Sequence, residues 1–258
     1  TGQVRLAVLG PVARVTLSHP GKLDAMSRAM WRELREIFLG LQEQRDVRCV
    51  VVAGSNGGFC AGGDIAEYPS FRFHPESLRR FHEDEVWGAL AAMLACDVPV
   101  VAEIAGACMG AGLEIACCCD IRIAGSSSRF GAPIARLGFP MAPRELQLVA
   151  AVAGEATLRE MLFEAVQLDA QEMKARGFLQ RVADPLELEL EVQATAERIA
   201  QLAPQAARMN KRMLRRIAGS APGAPLPADL LERAYDYASS GEHREGISAF
   251  LEKRTPRF

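Results

Sequence analysis

The sequence has no long apolar run, no long basic run and no two cysteines in C-x-x-C spacing. Without ~20 consecutive apolar residues, no segment can cross a bilayer as a helix, so no membrane partner is expected. The formal net charge of -2 and the lack of a basic run make nucleic acid an unexpected partner. The basic stretch Lys211, Arg212, Arg215 and Arg216 has helical spacing and reads as a solvated helix face. His19, His74, His82 and His243 lack metal-ligand spacing, so no metal is expected. The seven cysteines include the run Cys117, Cys118 and Cys119, and three adjacent thiols cannot share a simple disulfide framework. They read as small apolar fillers in a reducing compartment. The N-terminus lacks the charged-then-apolar plan of a signal peptide, and the cytoplasm is the expected location. Dinucleotide G-x-G-x-x-G, phosphate-loop G-K-[ST] and nucleophile-elbow G-x-S-x-G motifs are all missing. An ordinary serine hydrolase is thereby disfavoured.

What is present is 258 residues, 49% apolar and 24% charged, enough to bury a substantial core. Val4–Val8 and Val12–Leu17 are β-prone runs around Gly10-Pro11, which predicts a hairpin. Ser27 can cap a helix whose apolar residues Met30, Trp31, Leu34, Phe38 and Leu41 recur at helical spacing. Val47–Ala53 is apolar enough for a strand buried on both faces, and residues 55–58 form a turn. A helix over Pro75–Ala95, a strand over Val98–Ile104, a buried helix over Leu113–Cys119 and a strand over Asp120–Ala124 follow. This order predicts a parallel sheet with helical crossovers. Beyond Pro143 the pattern is helical, except for a short strand at Phe178–Val182, and residues 219–227 read as a linker.

Two segments carry chemical information: Phe59-Cys60-Ala61-Gly62-Gly63-Asp64, and Gly106 to Glu114. In each, small residues let a ligand approach the backbone, and N–H groups opening a helix have no intrahelical partner. Such donors suit an oxygen that becomes negative during reaction. Each bend taken singly is also explained as a tight turn; two after two buried strands favour a site. Glu114 stands in an otherwise apolar helix, where an unpaired carboxylate would cost several kcal/mol (order of magnitude). Either a distant arginine satisfies it, or it is a proton-transfer group beside the second bend. Asp64 reads as a helix cap, and Asp120 as the end of a helix.

At these bends the sequence resembles the crotonase superfamily, the enoyl-CoA hydratase/isomerase family. Pro20-Gly21-Lys22-Leu23-Asp24-Ala25-Met26 is similar to its P-x-K-L-N-A-L segment, and Phe59–Asp64 to F-x-A-G-x-D. Pro99–Asp120 follows its long glycine-rich block, and Phe130-Gly131-x-Pro133 and Glu245–Arg254 also match. The resemblance implies an α/β fold: a spiral of ββα units over residues 1–195, then a helical region over 196–258 that serves trimerisation and site completion. It implies a homotrimer or a dimer of trimers. The oxyanion hole would fall on the Gly63 and Ala111 N–H groups, with Glu114 as acid/base. Lys22, Leu23, Ala61, Asp64 and Ile65 would hold coenzyme A, which belongs to the substrate, so no separate cofactor is implied. Phe250 and Lys253 would complete that site, often from a neighbouring subunit.

One position departs from the pattern. Hydratases of the family place a second glutamate after the proline of G-x-P-E, and single-carboxylate isomerases usually keep the acid there. Here that residue is Ile134, which cannot transfer a proton. The expected activity is hydration or dehydration of an enoyl-CoA. Double-bond isomerisation, acyl-CoA decarboxylation or a CoA-ester-binding protein without catalysis are the alternatives. A compensating acid could come from Glu67 to Glu85, which carries His74, His82, Glu83, Asp84 and Glu85; otherwise that segment is a solvated cover.

Overall fold

The computed structural model describes every residue except Asn56 and Pro222, which fall in the expected turn and linker. β1 (Gln3–Leu9) and β2 (Val12–Ser18) form the antiparallel hairpin predicted around Gly10. The left-handed φ of +60° at Gly10 suits a residue without Cβ. β2 then pairs in parallel with β3 (Cys49–Gly54), followed by β4 (Val100–Ile104), β6 (Ile121–Gly125) and β9 (Arg181–Ala183), so the sheet runs β1-β2-β3-β4-β6-β9. A second sheet joins β5 (Ala107–Met109), β7 (Arg129–Gly131) and β8 (Leu168–Asp169) in the order β5-β7-β8. None of these three short strands was legible as a strand.

Helices cover both faces of the larger sheet. α1 (Arg28–Glu43) starts where the Ser27 hydroxyl accepts from the Met30 N–H, and it buries the five apolar residues of its stripe. The expected single helix over 75–95 is α2 (Pro75–Arg80), a π-helical turn (Phe81–Val86) and α3 (Trp87–Ala95). Val50 and Val52 face the main core with α1 and α3, whereas Cys49 and Val51 face a smaller cluster under α8 (Leu188–Ala200). The strand is therefore buried on both sides, as its composition predicts. All seven cysteines are free and buried.

α4 (Ala111–Cys117) is the buried helix after the second bend; it begins two residues earlier than the sequence suggests. α5 (Pro143–Ala153), α6 (Glu155–Phe163) and α7 (Ala170–Ala175) precede β9. After α8 come α9 (Pro204–Ile217), α10 (Ala228–Glu232) and α11 (Gly241–Leu251). The basic stretch on α9 is more than a solvated face. Arg212 and Arg215 each reach the buried Asp97 at 2.8 Å, and Lys211 reaches Asp120 at 2.7 Å and the Val98 carbonyl at 2.8 Å. These cations fasten α9 to the rim of the sheet; only Arg216 turns outward, to Asp229. Asp120 also accepts from the Val100 N–H at 2.7 Å, so its carboxylate ties β4 to α9; it lies beyond the end of α4 at Cys117 and does not itself end that helix. No helix among the described residues is long and apolar enough to cross a membrane.

Candidate active site

The two bends lie side by side. Cys60 N–H donates to the Ala107 carbonyl at 2.9 Å, and Met109 N–H donates back to the Cys60 carbonyl at 3.0 Å. A Cβ on Gly112 would stand 2.4 Å from that Cys60 carbonyl oxygen, so only glycine lets α4 approach the first bend this closely. Met26 pairs beside Gly63 through the Gly62 carbonyl and the Asp64 N–H, which leaves the Gly63 N–H outside the pairing. Ala111 is the first residue of α4, where the N–H has no intrahelical acceptor. Gly63 and Ala111 thus offer two backbone donors to one cavity of about 320 Å³.

Glu114 lines the same cavity, one helical turn from Ala111. Among the described residues no arginine or lysine pairs with it, which removes the structural alternative for this charge. Burial, reinforced by the negative charge of Glu145, pushes its pKa from 4.5 up to about 8. Tyr68 belongs to the 3₁₀ turn Ile65–Ser70, and its hydroxyl packs against Gly63. The Arg72 guanidinium sits on the Tyr68 and Phe139 rings, 4.4 and 3.8 Å from their centres, at the wall of the cavity. Ile134 lines the cavity too, so an apolar side chain occupies the wall where an acid was sought.

Glu145 was not singled out from sequence. It is 2% exposed, and its Oε1 lies 3.0 Å from His82 Nδ1. The signal was available: Glu145, Leu148 and Val149 follow the buried i, i+3, i+4 stripe of α5, so an acid stands among core positions. Of the acidic segment before α3, His82 reaches the cavity. Glu83 instead pairs with Arg144, Glu85 with Arg28, and Glu67 accepts from the Arg28 N–H, while Asp84 and His74 are exposed.

Comparison with known proteins shows the family and the fold. The model of the enoyl-CoA hydratase/isomerase family matches residues 9–258. The chain belongs to that family. A Mycobacterium tuberculosis protein named "Probable enoyl-CoA hydratase echA8" is 31% identical over 249 residues, 96% of this chain and 94% of that protein. The crystal structure of an enoyl-CoA hydratase/carnithine racemase from Magnetospirillum magneticum superposes with a TM-score of 0.94 at 36% identity, covering 99% of this chain and 94% of that one. An enoyl-CoA hydratase from Bacillus anthracis superposes with a TM-score of 0.91 at 25% identity, covering 99% and 97%. The fold is accordingly that of the crotonase superfamily.

The residues matched to the family's CoA positions divide into two groups. Ala61 and Ile65 line the cavity, and Lys22, Leu23 and Asp64 adjoin it. The Ala61 N–H donates to the Leu23 carbonyl at 3.0 Å, and Lys22 Nζ reaches Asp64 at 2.6 Å. Leu23 and Asp24 adopt left-handed φ of 48° and 57°, a turn held by the Asp24 carboxylate, which accepts from the His19 and Ser55 N–H groups. Asp64 caps the 3₁₀ turn through the Ala66 N–H, as its place predicts. Burial opposes its ionisation, but Lys22 and that N–H together hold its carboxyl below 3.8. Phe250, in the last turn of α11, and Lys253, just beyond it, do not line this cavity, and Phe250 is 82% exposed.

Proposed function

We propose that the protein acts on an acyl-CoA thioester, adding water to an enoyl-CoA or removing it from the corresponding 3-hydroxyacyl-CoA. The observation that carries this reading is the convergence of the Gly63 N–H, the Ala111 N–H and the Glu114 carboxyl on one cavity. The thioester oxygen accepts from both N–H groups, and its charge grows as the enolate forms. Each such donor is worth ~3 kcal/mol of barrier. Glu114, held mostly neutral in this environment, delivers the C2 proton in hydration, and its ionised form removes that proton in dehydration. Lys22, Leu23, Ala61, Asp64 and Ile65 hold the CoA moiety, which arrives with the substrate; the reaction needs no further cofactor. Phe250, exposed on one chain, and Lys253 complete the CoA site in a homotrimer or dimer of trimers. The enzyme works in the cytoplasm.

The test is turnover of a panel of enoyl-, 3-hydroxyacyl- and malonyl-type CoA thioesters by the purified protein. Hydration of an enoyl-CoA supports the reading. Turnover confined to positional isomers or to malonyl thioesters would replace it with isomerisation or decarboxylation. Ile134 favours one rival from another class, a CoA-ester-binding protein without catalysis. Tight binding of every thioester with no turnover would establish that rival.

A further inference from the structure

The family's second acid position is filled by Ile134, yet hydration requires two proton movements. Water must lose a proton as its oxygen bonds C3, and C2 must gain one. Besides the Tyr68 hydroxyl, whose pKa is raised by burial and which is therefore a poor base, the wall of the same cavity carries the imidazole of His82, presented from the π-helical turn Phe81–Val86. Such turns are frequent at functional sites because the extra residue re-aims side chains. Behind His82 lies Glu145, 2% exposed, with its Oε1 at 3.0 Å from Nδ1. A carboxylate can only accept, so Nδ1 carries a hydrogen, and in the neutral imidazole this tautomer leaves the Nε2 lone pair free to take a proton. The geometry is that of a base oriented by a third group.

We infer that the His82–Glu145 pair supplies the second proton-transfer group, with His82 the catalytic residue and Glu145 its positioning residue. The inference rests on the hydratase reading above and assigns the half of its chemistry that Ile134 leaves empty. In the forward direction His82 Nε2 takes a proton from water while the water oxygen bonds C3. The C2=C3 electron pair moves into the enolate held by Gly63 and Ala111. Glu114 then gives its proton to C2 as the thioester carbonyl re-forms. Water has been added across the double bond, and the proton on His82 returns to Glu114 through solvent. The influence of Glu145 on the ionisation of Glu114 places the two acids within electrostatic reach of each other.

The test separates the two proton movements. A saturated acyl-CoA has no C3 hydroxyl to lose, so exchange of its C2 hydrogen in D2O reports Glu114 and the oxyanion donors alone. His82→Ala is expected to lower kcat for enoyl-CoA hydration at least ~100-fold, with KM changed less than about threefold and C2 exchange retained. Added imidazole is expected to restore part of the rate. Should His82→Ala fail to fold, His82→Gln gives the same comparison without the rescue. Glu145→Gln is expected to lower kcat at least ~10-fold in the wild-type background and to cost nothing further beside His82→Ala, whereas independent effects would multiply. Glu83→Gln on the same turn is the control with unchanged rates. A His82 variant that hydrates at the wild-type rate, or a folded one that loses C2 exchange together with hydration, overturns the inference while the function stands. A wild-type protein that neither hydrates nor exchanges overturns the function itself, and this inference with it.

Discussion

Replacing Glu114 with glutamine should make the protein more stable and less active, and the stability gain should grow with pH. In the unfolded chain this carboxyl ionises near 4.5, whereas in the folded protein burial and Glu145 raise it to about 8. Below pH 4.5 it is neutral in both states and contributes no difference. As pH rises further, the unfolded chain gives up the proton and the folded protein keeps it, so wild-type stability falls until pH reaches about 8. The full separation corresponds to about 3 kcal/mol at pH 7 and about 5 kcal/mol at pH 9, at 1.36 kcal/mol per tenfold. Water entering the cavity reduces the expected gain at pH 7 to about 1–3 kcal/mol. Glutamine removes this titration and keeps the shape. The titratable and charged groups around Glu114 are Glu145 from α5, His82 from the π-helical turn, Tyr68 from the 3₁₀ turn and Arg72 beside it, Cys60 from the first bend, and Cys117 and Cys118 from its own helix. All are common to both proteins, so the difference between them isolates Glu114. Urea unfolding of wild type and Glu114→Gln at pH 5, 7 and 9, followed by circular dichroism at fixed protein concentration, measures it. A glutamine variant no more stable than wild type at pH 9, or a gain that does not increase from pH 5 to 9, would refute the claim that Glu114 is held neutral.

Three further outcomes follow from the geometry. Gly112→Ala should cost at least about 2 kcal/mol in thermal or urea unfolding, because its Cβ would meet the Cys60 backbone oxygen at 2.4 Å and force the two bends apart. Asp97→Ala should cost about 1–3 kcal/mol and raise proteolysis of α9, since the buried carboxylate carries Arg212, Arg215 and Gln42. Burial opposes ionisation of Asp97, yet these three partners hold its carboxyl below 3.8. That tie is therefore complete above pH 3.8 and is lost as pH falls through the depressed value, which unfolding of wild type and variant at pH 3 and 6 will show. Ile134→Glu should restore hydration, at least ~10-fold in kcat, to a His82→Ala protein, because it returns a proton acceptor for water to the cavity wall by another route.

Much of this arrangement was legible in the amino-acid order because its causes are local. Gly10-Pro11 marks the hairpin, Ser27 caps α1, and the apolar run through Cys49–Ala53 announces a strand covered on both faces. Glu114 betrayed itself as a charge on an apolar helix. The features that escaped depend on partners far along the chain or on elements too short to show a period. β5, β7 and β8 have two or three residues each, fewer than one alternation needs. The π turn in 81–86 has no compositional mark, yet it carries His82 to the cavity. The α9 cations read as solvated because Asp97 lies more than 100 residues earlier, and only the fold brings them together. Glu145 carried the same signal as Glu114, an acid on a buried stripe, but its first-turn position also suits an ordinary helix start.

The central claim is that Gly63, Ala111 and Glu114 together form and protonate a thioester enolate. The direct measurement is proton NMR of the purified protein turning over an enoyl-CoA in D2O. The account predicts a 3-hydroxyacyl-CoA product carrying one deuterium at C2, with the rate falling at least ~100-fold in Glu114→Gln. Hydration at an unchanged rate in that variant, or no hydration and no C2 exchange by the wild type with any thioester it binds, would contradict it.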